Sequence, residues 1–168
     1  MVVKGVSGLK RDRLVDEIEA VYRQRYSSFL RVASAIAGDE EAGRDAVQDG
    51  FAGAVRGRHG YKGRGPLEAW IWKAVVNAAR DRRRSASDVP LTEEPDETRS
   101  DEPGQLRAAI AALPERQRLA IFLRYFADLD QRSIAKVLGI RPGTVAATLH
   151  AARESLRKTL KEVEAWQR

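Results

Sequence analysis

Apolar positions along this chain recur at spacings of three and four, the period of helices that bury one face. Leu14, Ile18, Val21 and Tyr22, then Phe29, Leu30, Ala33 and Ile36, mark a first long helix ending at Gly38. Asp39 is placed to cap a second helix, whose buried face uses Ala42, Ala46, Val47, Phe51 and Ala54 or Val55. A loop rich in glycine and base, GRHGYKGRG, follows. A third helix opens at Pro66 and carries Leu67, Trp70, Ile71, Ala74 and Val75 on its stripe. That position makes Trp70 mainly a core residue. Trp72 falls on another face, where surface stacking and packing both remain open.

Further on, Leu106, Ile110 and Leu113 suit a short helix, and Pro114 begins another containing Leu119, Ile121, Phe122 and Phe126. Residues 130–152, DQRSIAKVLGIRPGTVAATLHAA, read as two helices joined by a tight turn. Ile134, Ala135, Val137 and Leu138 form one stripe, Gly139 ends it, and Pro142 suits the first position of the next helix, where its missing N–H costs nothing. Val145, Leu149, Ala152, Leu156 and Leu160 then mark the buried face of a long final helix. No alternating strand pattern occurs. The expected fold is all-α: a three-helix N-terminal domain and a four-helix C-terminal one.

Between them, residues 85–104 (SASDVPLTEEPDETRSDEPG) hold three prolines, seven acids and almost no large apolar side chain. Such a stretch buries too little surface to offset its ordering entropy and is expected to be an extended linker. It divides the 168 residues into domains at 1–84 and 105–168, each with room for only a small core. Roughly 20 flexible residues span about 25 Å on average.

Charge sharpens the picture. Residues 1–55 are nearly neutral, 56–84 carry a net +7, 85–104 a net −6 and 105–168 a net +6. Two basic blocks flank an acidic one, and basic blocks favour a polyanion by displacing its counterions. One of them lies on the helix–turn–helix, a motif that offers an exposed helix to the DNA major groove. There are no cysteines, which excludes disulfides, thiol nucleophiles and Cys-based metal sites, and two histidines (His59 and His150) make poor material for a metal centre. No Gly-rich phosphate loop or nucleophile–base pairing occurs, so neither catalysis nor a cofactor is expected. The N-terminal residues lack the apolar run of a signal peptide and no stretch reaches membrane-spanning length, so a cytoplasmic protein is expected.

Three motifs, taken in order, resemble the two-domain extracytoplasmic-function sigma factors of bacterial RNA polymerase. DAVQDGF (45–51) is similar to the family's acidic Asp-x-x-Gln-Glu-x-Phe segment. In WIWKAVVNAARDRRR (70–84), Trp70, Asn77, Asp81 and Arg84 fall at the family spacing. ALPERQRLAIFLRYF (112–126) with IAKVLGIRPGTV (134–145) resembles the family's promoter-binding domain. The resemblance implies that the first domain binds the clamp of core polymerase and helps melt the −10 promoter element. Asp45, Gln48 and Asp49 would then form an acidic and amide patch for core polymerase. The loop His59–Gly65 and the third helix would meet the unpaired strand, with Tyr61 as stacking ring, Asn77 as edge-reading amide, and Lys62, Arg64, Lys73 and Arg80 as a positive rim. The alternative for Tyr61 is a loop aromatic packed on the core.

The second domain would dock on the −35 element through Thr144 and Thr148, on the face opposite Val145 and Leu149, with Arg153 along the flank. Arg132, Lys136 and Arg141 would hold phosphates. Here the chain departs from the family: GTVAATL stands where members usually read Gly-Thr-Val-Lys-Ser-Arg-Leu, so two cationic donors are missing. A milder departure is Arg44 and Gly50 in the acidic segment, where the family usually has acidic and larger residues. The family also implies an anti-sigma factor as a partner and a linker that threads the RNA exit path. Two other functions fit part of the chain: a stand-alone helix–turn–helix regulator, which leaves residues 45–84 unused, and an interaction protein that sequesters polymerase.

Overall fold

The computed structural model describes residues 5–87 and 104–166. Within them are seven α-helices and one 3₁₀ turn (Arg58–Gly60), with no strand among the described residues. The first three helices are α1 (Gly5–Ala37), α2 (Glu40–Gly57) and α3 (Leu67–Ser87). The remaining four are α4 (Gly104–Ala111), α5 (Glu115–Tyr125), α6 (Gln131–Leu138) and α7 (Pro142–Trp166). Most of the stretch expected to be linker, 88–103, lies outside the described residues, while α3 runs through Ser87.

In the N-terminal unit α1, α2 and α3 pack against one another. Phe29, Val32, Ala33 and Ile36 of α1 meet Ala46, Val47, Phe51 and Ala54 of α2 and Ile71, Trp72, Val75, Val76 and Ala79 of α3 in one core. One open question about α3 is decided here and one expectation changes. Trp72 is fully buried, its ring stacked on Phe29 with centroids 3.9 Å apart. Trp70, expected mainly in the core, is only half-buried and lies against Tyr61 (centroids 5.5 Å). The physical reason is that α3 packs on two sides, against α1 and α2 and also against α6, so its buried arc is wider than one stripe and centred nearer Trp72. Gly50, a departure from the family pattern, has a packing reason. A Cβ there would lie 2.7 Å from the Val75 Cα, so the missing side chain lets α2 and α3 approach closely.

Local signals set the ends of the helices. Asp39 Oδ1 accepts from Ala42 N–H at 2.7 Å to cap α2, and Asp130 Oδ1 accepts from Ser133 N–H at 2.7 Å to cap α6. Gly139 closes α6 in the left-handed region (φ 66°), and its N–H donates to the Ala135 carbonyl. The turn then delivers Pro142 as the first residue of α7. Val145, Leu149 and Ala152 are buried under α5 and α6, which leaves the opposite face of α7 exposed.

The α6 cap gives a measurable expectation. The hydrogen bond from Ser133 N–H favours the Asp130 carboxylate and holds its pKa below the ordinary 3.8. A depressed carboxyl pKa contributes stability above the ordinary value, and that contribution is lost as the pH falls through the lowered one. Asp130→Ala is therefore expected to lower stability by about 1 kcal/mol at neutral pH. Its deficit relative to wild type should shrink once the pH drops below 3.8. Urea midpoints across that range check both statements.

Candidate nucleic-acid and polymerase interface

Two adjacent helices of the N-terminal unit present polar groups of opposite character. On α2, Asp45, Gln48 and Asp49 are exposed on successive turns, because Ala46, Val47 and Gly50 take the inward positions between them. Arg82 of α3 reaches across to this patch, its guanidinium 3.1 Å from Asp45 Oδ2 and 2.5 Å from Asp49 Oδ2. Arg82 lies within the stretch ARDRRR at the end of the third helix and is not among the candidate site residues of the sequence. The available signal was its angular position, about 200° around the helix from Arg80, which turns it towards α2. The acidic patch is thus held in place and partly neutralised from behind.

Another face of α3 carries Lys73 and Asn77, both exposed, with Arg80 one turn further and only partly buried. The loop before α3 brings Tyr61, Lys62 and Arg64 towards the start of that helix. Tyr61 is half-buried: its hydroxyl donates to the Gly65 carbonyl at 2.6 Å and its ring lies against Trp70. The loop aromatic is therefore packed, with part of its ring still accessible. Lys62 and Arg64 are exposed. Loop and helix together place an amide, a partly open ring and several cations within one region of surface, as capture of an unstacked base on a charged strand requires.

In the C-terminal unit the exposed side of α7 forms the floor of a shallow groove. It is lined by Thr144, Ala147, Thr148 and Ala151 of α7 and by Arg116 and Gln117 at the start of α5. The Thr148 hydroxyl donates to the Thr144 carbonyl at 2.7 Å and Arg153 Nε to the Leu149 carbonyl at 3.2 Å, so both side chains lie along their own helix. Arg132 and Arg141 are exposed at the beginning of α6 and just before α7. Arg116 was missed in the sequence, because it belongs to a different helix and only packing brings it beside α7.

The two units touch. Arg80 gives two hydrogen bonds to the Glu115 carboxylate (2.7 and 3.3 Å), and Lys136 Nζ donates to the Arg64 carbonyl at 2.7 Å. The Arg80 guanidinium, chiefly by its hydrogen bonding, holds Glu115 below its ordinary pKa of 4.5. Glu68 accepts from Trp72 Nε1 at 3.2 Å and pairs with Arg25 (3.1 Å), while Arg25 donates to the Ala127 carbonyl across the junction. Among the described residues there is no cluster of His, Asp and Glu suited to a metal ion, and no helix is long and apolar enough to cross a membrane.

Comparison with known proteins follows the same division. Residues 21–89 match the family described as sigma-70 region 2, and residues 104–156 match sigma-70 region 4. The chain is similar to the RNA polymerase sigma factor YlaC of Bacillus subtilis (27% identity over 160 residues, 86% of this chain and 92% of that protein). It is also similar to the ECF RNA polymerase sigma factor SigL of Mycobacterium tuberculosis (31% identity over 160 residues, 87% and 90%). Two solved structures share the fold with TM-scores of 0.68. One is CnrH in complex with the cytosolic domain of CnrY (20% identity, 86% and 88% covered). The other is RpoE of Bartonella quintana in complex with the anti-sigma factor NepR (21% identity, 86% and 97%).

Proposed function

The chain belongs to the extracytoplasmic-function sigma factors of the sigma-70 family, and from that premise we propose which of its surfaces carry each part of promoter-directed initiation. Asp45, Gln48 and Asp49, fixed by Arg82, contact core polymerase. Lys73, Asn77 and Arg80 of α3, with Tyr61, Lys62 and Arg64 of the preceding loop, hold the melted −10 strand. Arg132, Lys136, Arg141, Thr144, Thr148 and Arg153 dock the C-terminal unit on the −35 element, helped by Arg116. Residues 1–84 and 105–168 act as the two gripping domains. Resting phosphate contacts on Arg132 and Arg141 and small side chains on the reading face predicts a −35 preference carried by few base-edge donors. The protein performs no chemistry itself: it works in the cytoplasm as a dissociable specificity subunit and is restrained by an anti-sigma partner.

The observation that carries this reading is the exposed Asp45–Gln48–Asp49 turn beside the Lys73–Asn77 face of the next helix. A stand-alone DNA-binding regulator needs no such pair of surfaces. Reconstitution with core polymerase followed by genome-wide run-off transcription tests it. Promoter-specific starts above those of core alone are expected, and their absence would overturn the assignment. Affinity capture from native cells should return polymerase together with a small regulatory protein; polymerase alone would count against the anti-sigma partner.

A further inference from the structure

Arg13, Arg23 and Arg44 each pair with a glutamate one turn away on their own helix. Arg82 differs from them. It crosses from α3 to α2 and divides its guanidinium between two carboxylates, Nη1 donating to Asp45 Oδ2 at 3.1 Å and Nη2 to Asp49 Oδ2 at 2.5 Å. Its Nε is buried and has no hydrogen-bond partner. An arginine that served solubility alone would turn Nε to water, since an unpaired buried donor costs stability. Here the two pairs made by the Nη groups offset that cost. Asp45 and Asp49 stand four apart on α2, a spacing at which like charges repel. Without a cation between them their carboxylates would swing apart. One planar fork satisfies an oxygen of each and removes much of the repulsion. Arg82 keeps 35% of its side-chain exposure, whereas Asp45 and Asp49 keep 50% and 59%. The cation is the most enclosed of the three, and the acidic side of the trio is left towards solvent.

We propose that Arg82 is a positioning residue for docking on core polymerase: it fixes Asp45 and Asp49 in one geometry, in which their remaining oxygens together receive a basic side chain of the enzyme. The inference rests on the assignment of Asp45, Gln48 and Asp49 to core polymerase made above. Its consequence runs against charge counting. By charge alone Arg82 is a hindrance, because it cancels part of an acidic patch that meets a basic partner. By positioning it is a requirement, because anions already held in place lose less conformational freedom on binding than two mobile, mutually repelling ones. Lysine is no substitute, since an ammonium is a point charge without the fork that spans two carboxylates.

Binding kinetics of the full-length chain on immobilised core polymerase separate the two roles. Arg82→Ala is expected to associate at or slightly above the wild-type rate, because the patch becomes more negative. It should dissociate about 5- to 20-fold faster. Arg82→Lys keeps the charge and should recover only part of that loss. Added to Asp45→Asn with Asp49→Asn, Arg82→Ala should change little further, because it acts through those two carboxylates. Circular dichroism and thermal unfolding check that each variant is folded; a folding defect lowers the amount that binds and leaves the dissociation rate of the bound fraction unchanged. Unchanged or slower dissociation of Arg82→Ala would overturn the proposal, as would full recovery by Arg82→Lys or additive losses in the triple variant. Asp45→Asn with Asp49→Asn distinguishes this from the parent reading. If that pair leaves binding to core intact, the patch is not the polymerase surface and both readings fall. If it weakens binding while Arg82→Ala does not, only the role of Arg82 falls.

Discussion

Truncating Trp72 to alanine is expected to lower the stability of the N-terminal unit by about 3–5 kcal/mol. The indole is fully buried, stacks on Phe29 and lies in the core where α1, α2 and α3 meet. Removing it leaves a cavity that the surrounding helices can close only by shifting α3. It also removes the donor that Glu68 accepts from, leaving Glu68 with Arg25 alone. Thermal and urea unfolding of the full chain measure the loss. Trp70→Ala provides the contrast: a half-buried ring against Tyr61 has less to lose in stability and more in the conformation of the −10 loop. Equal destabilisation by the two substitutions would mean that the core is not centred on Trp72.

Asn77→Ala is expected to reduce open-complex formation by about 10- to 100-fold, the equivalent of about 1.4–2.8 kcal/mol, while affinity for core polymerase stays within about twofold. Asn77 is exposed on α3, so its loss opens no cavity and breaks none of the contacts that hold α2 against α3. A buried base edge left without its hydrogen-bond partner costs far more than an exposed amide contributes to folding, so the defect should appear in melting of the −10 element. Heparin-resistant complexes on a supercoiled promoter, read alongside a core-binding titration, separate the two steps. Parallel loss of both would assign Asn77 a structural role instead.

Much of the helical plan was legible because each of its signals is local. Asp39 and Asp130 cap helices through their own neighbours, Gly139 takes a conformation that glycine adopts at little cost, and Pro142 tolerates the first helical position. The exposed Asp45–Gln48–Asp49 turn was legible as well, since the apolar residues interleaved with it indicate which side is buried. The rotation of α3 was not. A helix packed on one side buries one stripe, but α3 packs on two, and nothing in its own period tells how many partners it will have. The same gap explains Gly50, which reads as a departure from a motif until Val75 of another helix is found against it.

Sequence by itself determined the helices, the capped ends at Asp39, Asp130 and Gly139, the two basic blocks and the family, because capping, periodicity and charge depend on residues close together in the chain. Only the tertiary structure decided that Trp72 rather than Trp70 fills the core, that Arg82 restrains the acidic patch, and that Glu115 and the Arg64 carbonyl occupy Arg80 and Lys136. These are pairings between residues 33 to 72 positions apart, or burial set by several helices at once. A charge or ring carries no label for a partner that far along the chain, so folding alone brings such groups together.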